Sequence, residues 1–332
     1  MAENKKYDTL IIGGGPCGLA CGIEAEKAGL AYLILDKGSI TESIRRYPVN
    51  MTFFSTSENI EIGGIPFTSA EMRPTRTEAL RYYRRVVDHF KLNLQLFTCV
   101  QNISGQDGDF TVETNNGTFH CHKVVLAIGY YDLPRLINVP GEDLPHVSHY
   151  YDEAYRYSHS NVVVVGGANS AIETALDLYR NGARVTVVHQ FDSFDKTAKY
   201  WITPDIENRV KKEDIKAYFS SRLSRIDQDH VEIEDVDTGR KQQIQADFVF
   251  LMTGYRPDAE LMEKIGIKLN GEAFIPDFEA ETFQTNVPGI YVAGSVVGGE
   301  ETAKVFIENG REHGKNVISH IQQALKKELQ SK

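Results

Sequence analysis

The chain has 332 residues, more than one core usually organises and comfortable for two domains. With 41% apolar and 25% charged residues it reads as an ordinary soluble globular protein, and its net charge of −10 argues against nonspecific nucleic-acid binding, which needs a basic surface. No apolar stretch approaches the roughly 20 residues that span a bilayer, and the opening Met1-Ala2-Glu3-Asn4-Lys5-Lys6 lacks the apolar region of a signal peptide, so no membrane contact and a cytoplasmic location are expected.

Taken in order, Thr9-Leu10-Ile11-Ile12 predicts a strand, Gly13-Gly14-Gly15-Pro16-Cys17-Gly18 a tight turn, and the small-residue run from Leu19 to Ala28 a helix ended by Gly29. A second apolar run, Tyr32-Leu33-Ile34-Leu35, ends in Asp36. Strand, glycine turn, helix, strand and acid are the parts of a dinucleotide site. Gly13 allows the turn, Gly15 lets backbone approach a pyrophosphate at the helix N-terminus, Gly18 allows close helix–strand packing, and Asp36 accepts from a ribose.

Residues 37–75 are irregular and rich in turn formers, the character of a binding loop or of a packed surface excursion. From Thr77 to Phe90 the spacing of Leu80, Tyr83, Val87 and Phe90 is helical, and Arg73, Arg76, Arg81, Arg84 and Arg85 read as a solvated face or as support for an anionic ligand. Leu94–Val100, Phe110–Thr114 and Thr118–His122 read as strands, the last two joined by Asn115-Asn116-Gly117. Lys123–Gly129 is a buried parallel strand by its unbroken apolar run.

At Asn161 the opening theme returns. Val162–Val165 is a strand, Gly166-Gly167-Ala168-Asn169-Ser170-Ala171 a second phosphate turn with alanine at its middle position, Ile172–Arg180 a helix, and Ala183–Val188 the next strand. No acid follows at once, only His189-Gln190-Phe191, and that absence favours NADPH over NADH. His189, Lys196, Lys199 or Arg222 supplies positive charge for a 2′-phosphate in this reading. Phe248–Asp258 repeats the strand–glycine–proline layout of residues 124–134, which makes the second nucleotide fold an insertion: 1–134 and 255–332 form one domain, 135–254 the other. Gly289–Ser295 is a further strand ending in glycine, and a helix is expected from about Ala303 to Lys327 with its positive end at the first nucleotide site.

Two nested nucleotide folds, joined by Ala127-Ile128-Gly129 and Thr253-Gly254-Tyr255-Arg256-Pro257-Asp258 and closed by Gly289-Ile290-Tyr291-Val292-Ala293-Gly294, resemble the FAD/NAD(P)-linked pyridine nucleotide-disulfide oxidoreductases, at the size of the thioredoxin reductase branch. The resemblance covers nearly the whole chain and implies an α/β fold of two Rossmann-like domains, one for FAD and one for NADPH. The chain departs from that branch in carrying no CxxC after Pro140-Gly141-Glu142, and in having Ser295 where ferredoxin–NADP reductases of this fold end their flavin motif in Gly-Asp. Within the branch, the Gly-Gly-Gly-Pro-Cys-Gly turn together with Lys304-Val305-Phe306-Ile307-Glu308-Asn309-Gly310-Arg311 resembles the bacillithiol disulfide reductases of low-GC Gram-positive bacteria. That likeness implies FAD, NADPH, a low-molecular-weight disulfide as substrate, and one functional cysteine at Cys17.

The residues assigned to FAD are then Gly13, Gly15, Pro16, Gly18, Asp36, Lys37, Val100, Ala127, Gly129, Gly294, Ser295, Ala303 and Lys304; those assigned to NADPH are Gly166, Ala168, Asn169, Ser170, Ala171 and His189. Cys17 reads two ways: as a small residue in an alanine slot, or as a thiol whose pKa the helix dipole lowers. Cys21, Cys99 and Cys121 read as core. Without any CxxC, neither a structural metal nor a dithiol relay is expected. A flavin monooxygenase and a ferredoxin or flavodoxin reductase stay open as rivals, the first on His146, His149 and Tyr150. A homo-oligomer is the ordinary expectation for such an enzyme.

Overall fold

The computed structural model describes residues 6–302 and 304–330. They fall into two compact units. One takes the chain up to Arg45, Met51–Leu133 and everything from Tyr255 onward; the other takes Pro134–Gly254 together with the five-residue excursion Arg46–Asn50. Among the described residues no helix is long and apolar enough to cross a membrane.

The first unit is built on β1 (Lys6–Ile12), whose Leu10 and Ile11 are fully buried, followed by α1 (Pro16–Lys27) and β2 (Tyr32–Leu35), buried at every position. Strands covered on both faces need no polar alternation, which is why these runs are unbroken. After α2 (Arg76–Phe90) come β3 (Leu94–Gln95), β4 (Val100–Gln106), β5 (Asp109–Thr114) and β6 (Gly117–Leu126), in the spatial order β3-β2-β1-β6-β5-β4. A single strand over 94–100 does not form. Phe97 takes a left-handed backbone (φ 53°), and there the chain leaves its parallel pairing with β2 to start the antiparallel β4. The two expected runs 118–122 and 123–129 are in fact one strand. One edge of β6 pairs with β1 from His120 to Leu126; the other pairs with β5 up to Cys121 and, from Val124, with β12 (Ile290–Val292).

A capping box starts α2: Thr75 Oγ1 accepts the Glu78 N–H at 3.2 Å and the Glu78 carboxylate accepts the Thr75 N–H at 2.8 Å. Arg81, Arg84 and Arg85 lie on its exposed face, whereas Arg76 donates its N–H to Met51 O (2.9 Å) and its Nε–H to Arg45 O (3.1 Å), holding both ends of the 46–50 excursion.

The second unit repeats the plan. Strands β7 (Val147–Ser148), β8 (Asn161–Val165), β9 (Arg184–Val188), β10 (Lys216–Tyr218) and β11 (Phe248–Leu251) form a parallel sheet in the order β10-β9-β8-β11-β7, with α3 (Asn169–Arg180) crossing from β8 to β9. An antiparallel meander over 221–226, 230–235 and 241–245 packs its Leu223, Val231 and Ile233 with β8 and β11.

The final helix differs from expectation. Ile307–Gly310 is a single turn (α4), and the long helix α5 begins only at His313 and runs to Gln330. Asn309 accounts for the late start: its Oδ1 accepts the Phe306 N–H at 2.8 Å and its Nδ2 donates to Lys304 O at 2.9 Å, local bonds that take the place of helical ones before Ile307.

Candidate active site

The register of the first sheet decides what meets at its carboxyl edge. Ile12 lies beside Leu35 and Leu126, and Leu126 beside Val292. The next residues along each strand are Gly13, Asp36, Ala127 and Ala293, so four segments distant in sequence end side by side, where ligands of open α/β sheets bind. Gly13 (φ 114°) donates to Leu35 O at 2.7 Å, and a Cβ there would overlap the carbonyl of Ala127. At Gly18 a Cβ would overlap Gly13 O; only glycine lets α1 lie this close to its turn. At Gly15 nothing of the protein lies within 4 Å of where a Cβ would stand. Asp36 holds the turn from below: Oδ2 accepts the Gly14 N–H at 2.6 Å and Oδ1 the Gly38 N–H at 2.7 Å. Burial nonetheless raises its pKa above the ordinary carboxylate value, against the lowering by these two donors.

The second unit matches this frame. Gly166 donates to Val188 O at 2.9 Å and Met252 to Val165 O at 2.8 Å, and a Cβ at Gly166 would stand 2.5 Å from Met252 O. Both glycine turns fit a dinucleotide pyrophosphate. The positions that precede α1 and α3, Gly15 and Ala168, make no side-chain cap, and neither helix has an acid in its first turn, so their leading N–H groups are left for an anion.

Cys17 lies in the first turn of α1, half-buried. A Cβ added to Gly294 would come within 2.9 Å of its Sγ, and one added to Gly310 would do the same. The side chain is lodged between the end of β12 and the α4 turn, two glycines that no local pattern links to residue 17. The expected lowering of this thiol is not what the chain alone produces: burial pushes Cys17 up to about 12. Cys21 and Cys121 are buried, but Cys99 is exposed and is not core, since it sits between β3 and the edge strand β4.

Of the other assigned residues, Pro16 opens α1 and Val100 opens β4 half-buried. Gly129 (φ 67°) stands near Ser295, whose Oγ would lie 3.8 Å from an added Cβ; Ser295 sits in a short 3-10 turn over Gly294–Gly298. Lys37 is ion-paired to Asp132 at 3.0 Å. Lys304 does not begin a helix; it is exposed and paired with Glu301. Ala303 lies outside the described residues. In the second unit Asn169 opens α3 and its Oδ1 accepts the Lys199 N–H at 2.7 Å, Ser170 is exposed, and Ala171 is buried. The cations named for a 2′-phosphate are largely committed elsewhere: Lys199 Nζ is bonded to Glu173 at 2.6 Å and Arg222 to Glu234 at 3.1 Å, while Lys196 is exposed. His189 packs its ring over Gly167 with a buried, unpartnered Nε2, and burial lowers its pKa, so it is neutral at pH 7.

One residue beyond the sequence reading joins the first site. His313, at the head of α5, accepts the Gly294 N–H through Nδ1 at 3.2 Å and stacks on Phe283 with ring centroids 4.2 Å apart. Burial pushes it down to about 4.

Comparison with known proteins agrees with this frame. The family model described as pyridine nucleotide-disulphide oxidoreductase matches residues 10–294. Bacilliredoxin reductase Bdr of Bacillus subtilis is 40% identical over 315 residues, 94% of this chain and 96% of that protein. The solved bacillithiol disulfide reductase Bdr (YpdA) from Bacillus cereus superposes with a TM-score of 0.93 at 37% identity, over 96% of this chain and 100% of that one. Its counterpart from Staphylococcus aureus gives 0.92 at 39%, over 97% and 99%.

Proposed function

The chain belongs to the pyridine nucleotide-disulphide oxidoreductase family, and from that premise we propose that it is an NADPH-dependent flavoprotein reducing bacillithiol disulfide to two thiols, with Cys17 as the exchanging sulfur. The net reaction is NADPH, a proton and a disulfide giving NADP⁺ and two thiols. FAD, when bound, supplies the two-electron chemistry between nicotinamide and sulfur. The uncapped N-terminus of α1 and the space above Gly15 are suited to its pyrophosphate, and Asp36 to a ribose; the α3 turn is suited to the pyrophosphate of NADPH.

The observation that carries the reading is the Cys17 slot. A thiol stands in the turn that would face the flavin pyrophosphate, walled by Gly294 and Gly310, with no CxxC elsewhere to serve instead. Attack of Cys17 on a disulfide forms one S–S bond and breaks another; the Cys17 proton goes to the departing thiolate and one thiol leaves. Release of the second thiol and return of Cys17 to its thiol form then take the electron pair and the proton of the NADPH hydride together with one further proton. Because the thiol is held protonated at rest, its deprotonation accompanies disulfide docking rather than preceding it. A reducing cytoplasm is the setting in which such a free cysteine persists.

The test is anaerobic NADPH oxidation by the purified yellow protein, with and without bacillithiol disulfide, for wild type and Cys17→Ala. Disulfide-dependent oxidation that collapses in the variant is expected. Turnover with ferredoxin, flavodoxin or oxygen, but none with the disulfide, would move the protein to another reaction class, and an unimpaired Cys17→Ala would return the residue to the status of a substituted alanine.

A further inference from the structure

We propose that His313 is a positioning residue for the sulfur site, holding the Gly294 wall of the Cys17 slot through its Nδ1 and thereby setting how the thiol presents itself. The inference deepens the reading of Cys17 given above and rests on it.

Three observations converge. Gly294 sits in a left-handed backbone (φ 76°), a conformation with no intrinsic preference to hold it in one orientation. Its N–H has one acceptor among the described hydrogen bonds, the His313 Nδ1. The same glycine is in contact range of Cys17 on one side and of Gly310 on the other: a Cβ on Gly294 would meet the Cys17 Cβ at 2.7 Å and Sγ at 2.9 Å, and a Cβ on Gly310 would meet the Gly294 Cα at 3.1 Å. The slot has no slack, so a rotation of the 294 peptide moves the wall against which the sulfur rests.

The imidazole suits this task. To accept from an N–H, Nδ1 must be unprotonated, which fixes the neutral tautomer with hydrogen on Nε2. Stacking on Phe283 holds the ring plane, and Phe283 is itself stacked on Phe278 at 5.7 Å. Phe283 O accepts the Val292 N–H at 2.9 Å, so the stack is tied to the strand whose end it controls. His313 thus joins the head of α5 to the Gly294 peptide just beyond β12.

Two variants separate the hydrogen bond from the stacking. His313→Phe keeps an aromatic face against Phe283 and removes the acceptor; His313→Asn keeps an acceptor oxygen and removes the ring. Each is purified as the holoprotein in a Cys99→Ser background, because Cys99 is exposed. Three readouts are taken: the visible flavin spectrum, the rate of Cys17 alkylation by iodoacetamide, and the two half-reactions by rapid mixing, reduction by NADPH and reoxidation by bacillithiol disulfide. In His313→Phe the alkylation rate and the flavin band shift, reoxidation slows about tenfold, the effect of one lost hydrogen bond, and reduction by NADPH changes less than about twofold. In His313→Asn alkylation and reoxidation return to within about threefold of wild type. Wild-type behaviour in His313→Phe overturns the proposal, as does an Asn variant as impaired as the Phe variant, since restoring an acceptor would then restore nothing. If Cys17→Ala turns over the disulfide fully, the catalytic reading of Cys17 fails alone; the spectrum and the alkylation rate need no turnover through sulfur and still decide the role of His313.

Discussion

The two glycine turns have the same strand–turn–helix–strand frame and the same uncapped helix start, yet they are finished differently. In the first, a carboxylate below the turn takes two backbone N–H groups, and Gly18 is obligatory because Gly13 O occupies the space of its Cβ. In the second, Ala171 fills the position of Gly18, and the space below the turn is taken by the His189 imidazole over Gly167, its Nε2 without a hydrogen-bond partner. The first turn is tighter and carries a thiol at its fifth position; the second is looser and carries the exposed Ser170 there. The shared frame supplies an anion site, and the finish decides what else the turn does.

The largest test of that contrast is Gly18→Ala against Ala171→Gly. The first drives a methyl into Gly13 O and is expected to destabilise its unit by about 3 kcal/mol or more, while the second costs within about 1 kcal/mol, both read by denaturant unfolding of the flavin-free protein. Gly15→Ala follows. With nothing of the protein within 4 Å, it leaves the stability of the flavin-free chain unchanged but weakens FAD binding by at least about tenfold; an equal loss of stability and affinity would show that the space is not a ligand's. Asp36→Asn, which keeps one acceptor oxygen of two, is expected to cost about 1–3 kcal/mol. His189→Phe, which removes an unpartnered buried nitrogen from the matching position, is expected to stay within about 1 kcal/mol of wild type. The gentlest probe needs no substitution beyond Cys99→Ser: Cys17 alkylation in the flavin-free protein is slow at pH 7 and keeps rising past pH 9, where an ordinary thiol has levelled off, because burial holds its thiol up to about 12.

These turns were legible in the sequence because their whole logic is local. Six residues, a preceding apolar run and an acid one helix later state the turn, its approach and its anchor. Cys17 was legible as a residue but not as a site: its walls, Gly294 and Gly310, lie at the other end of the chain, and neither glycine advertises what it faces. His313 gave no signal at all, since it looks like any polar residue in a helix. The long terminal helix was placed too early because Asn309 carries ordinary helical company while its side chain bonds back on the backbone. β4 escaped because an edge strand with half-exposed residues shows little alternation, and the turn at Phe97 needs a left-handed backbone that no glycine marks. The excursion Arg46–Asn50 was visible only as irregularity; that Arg76 holds both its ends is a fact of three dimensions.

The branching of β6 has a consequence for biosynthesis. As the chain leaves the ribosome, β1, β2 and β6 are complete long before β12, so the second half of β6 has one edge bare while the whole insertion is being made. The insertion contains all five strands of its own sheet and folds meanwhile as a unit. Only when Ile290–Val292 emerges can that edge be covered, and only then do Gly294 and Gly310 arrive to enclose the sulfur. A nascent chain stalled before this point carries an open sheet edge and a Cys17 whose two glycine walls are missing, so the slot is assembled only after the whole insertion has been made.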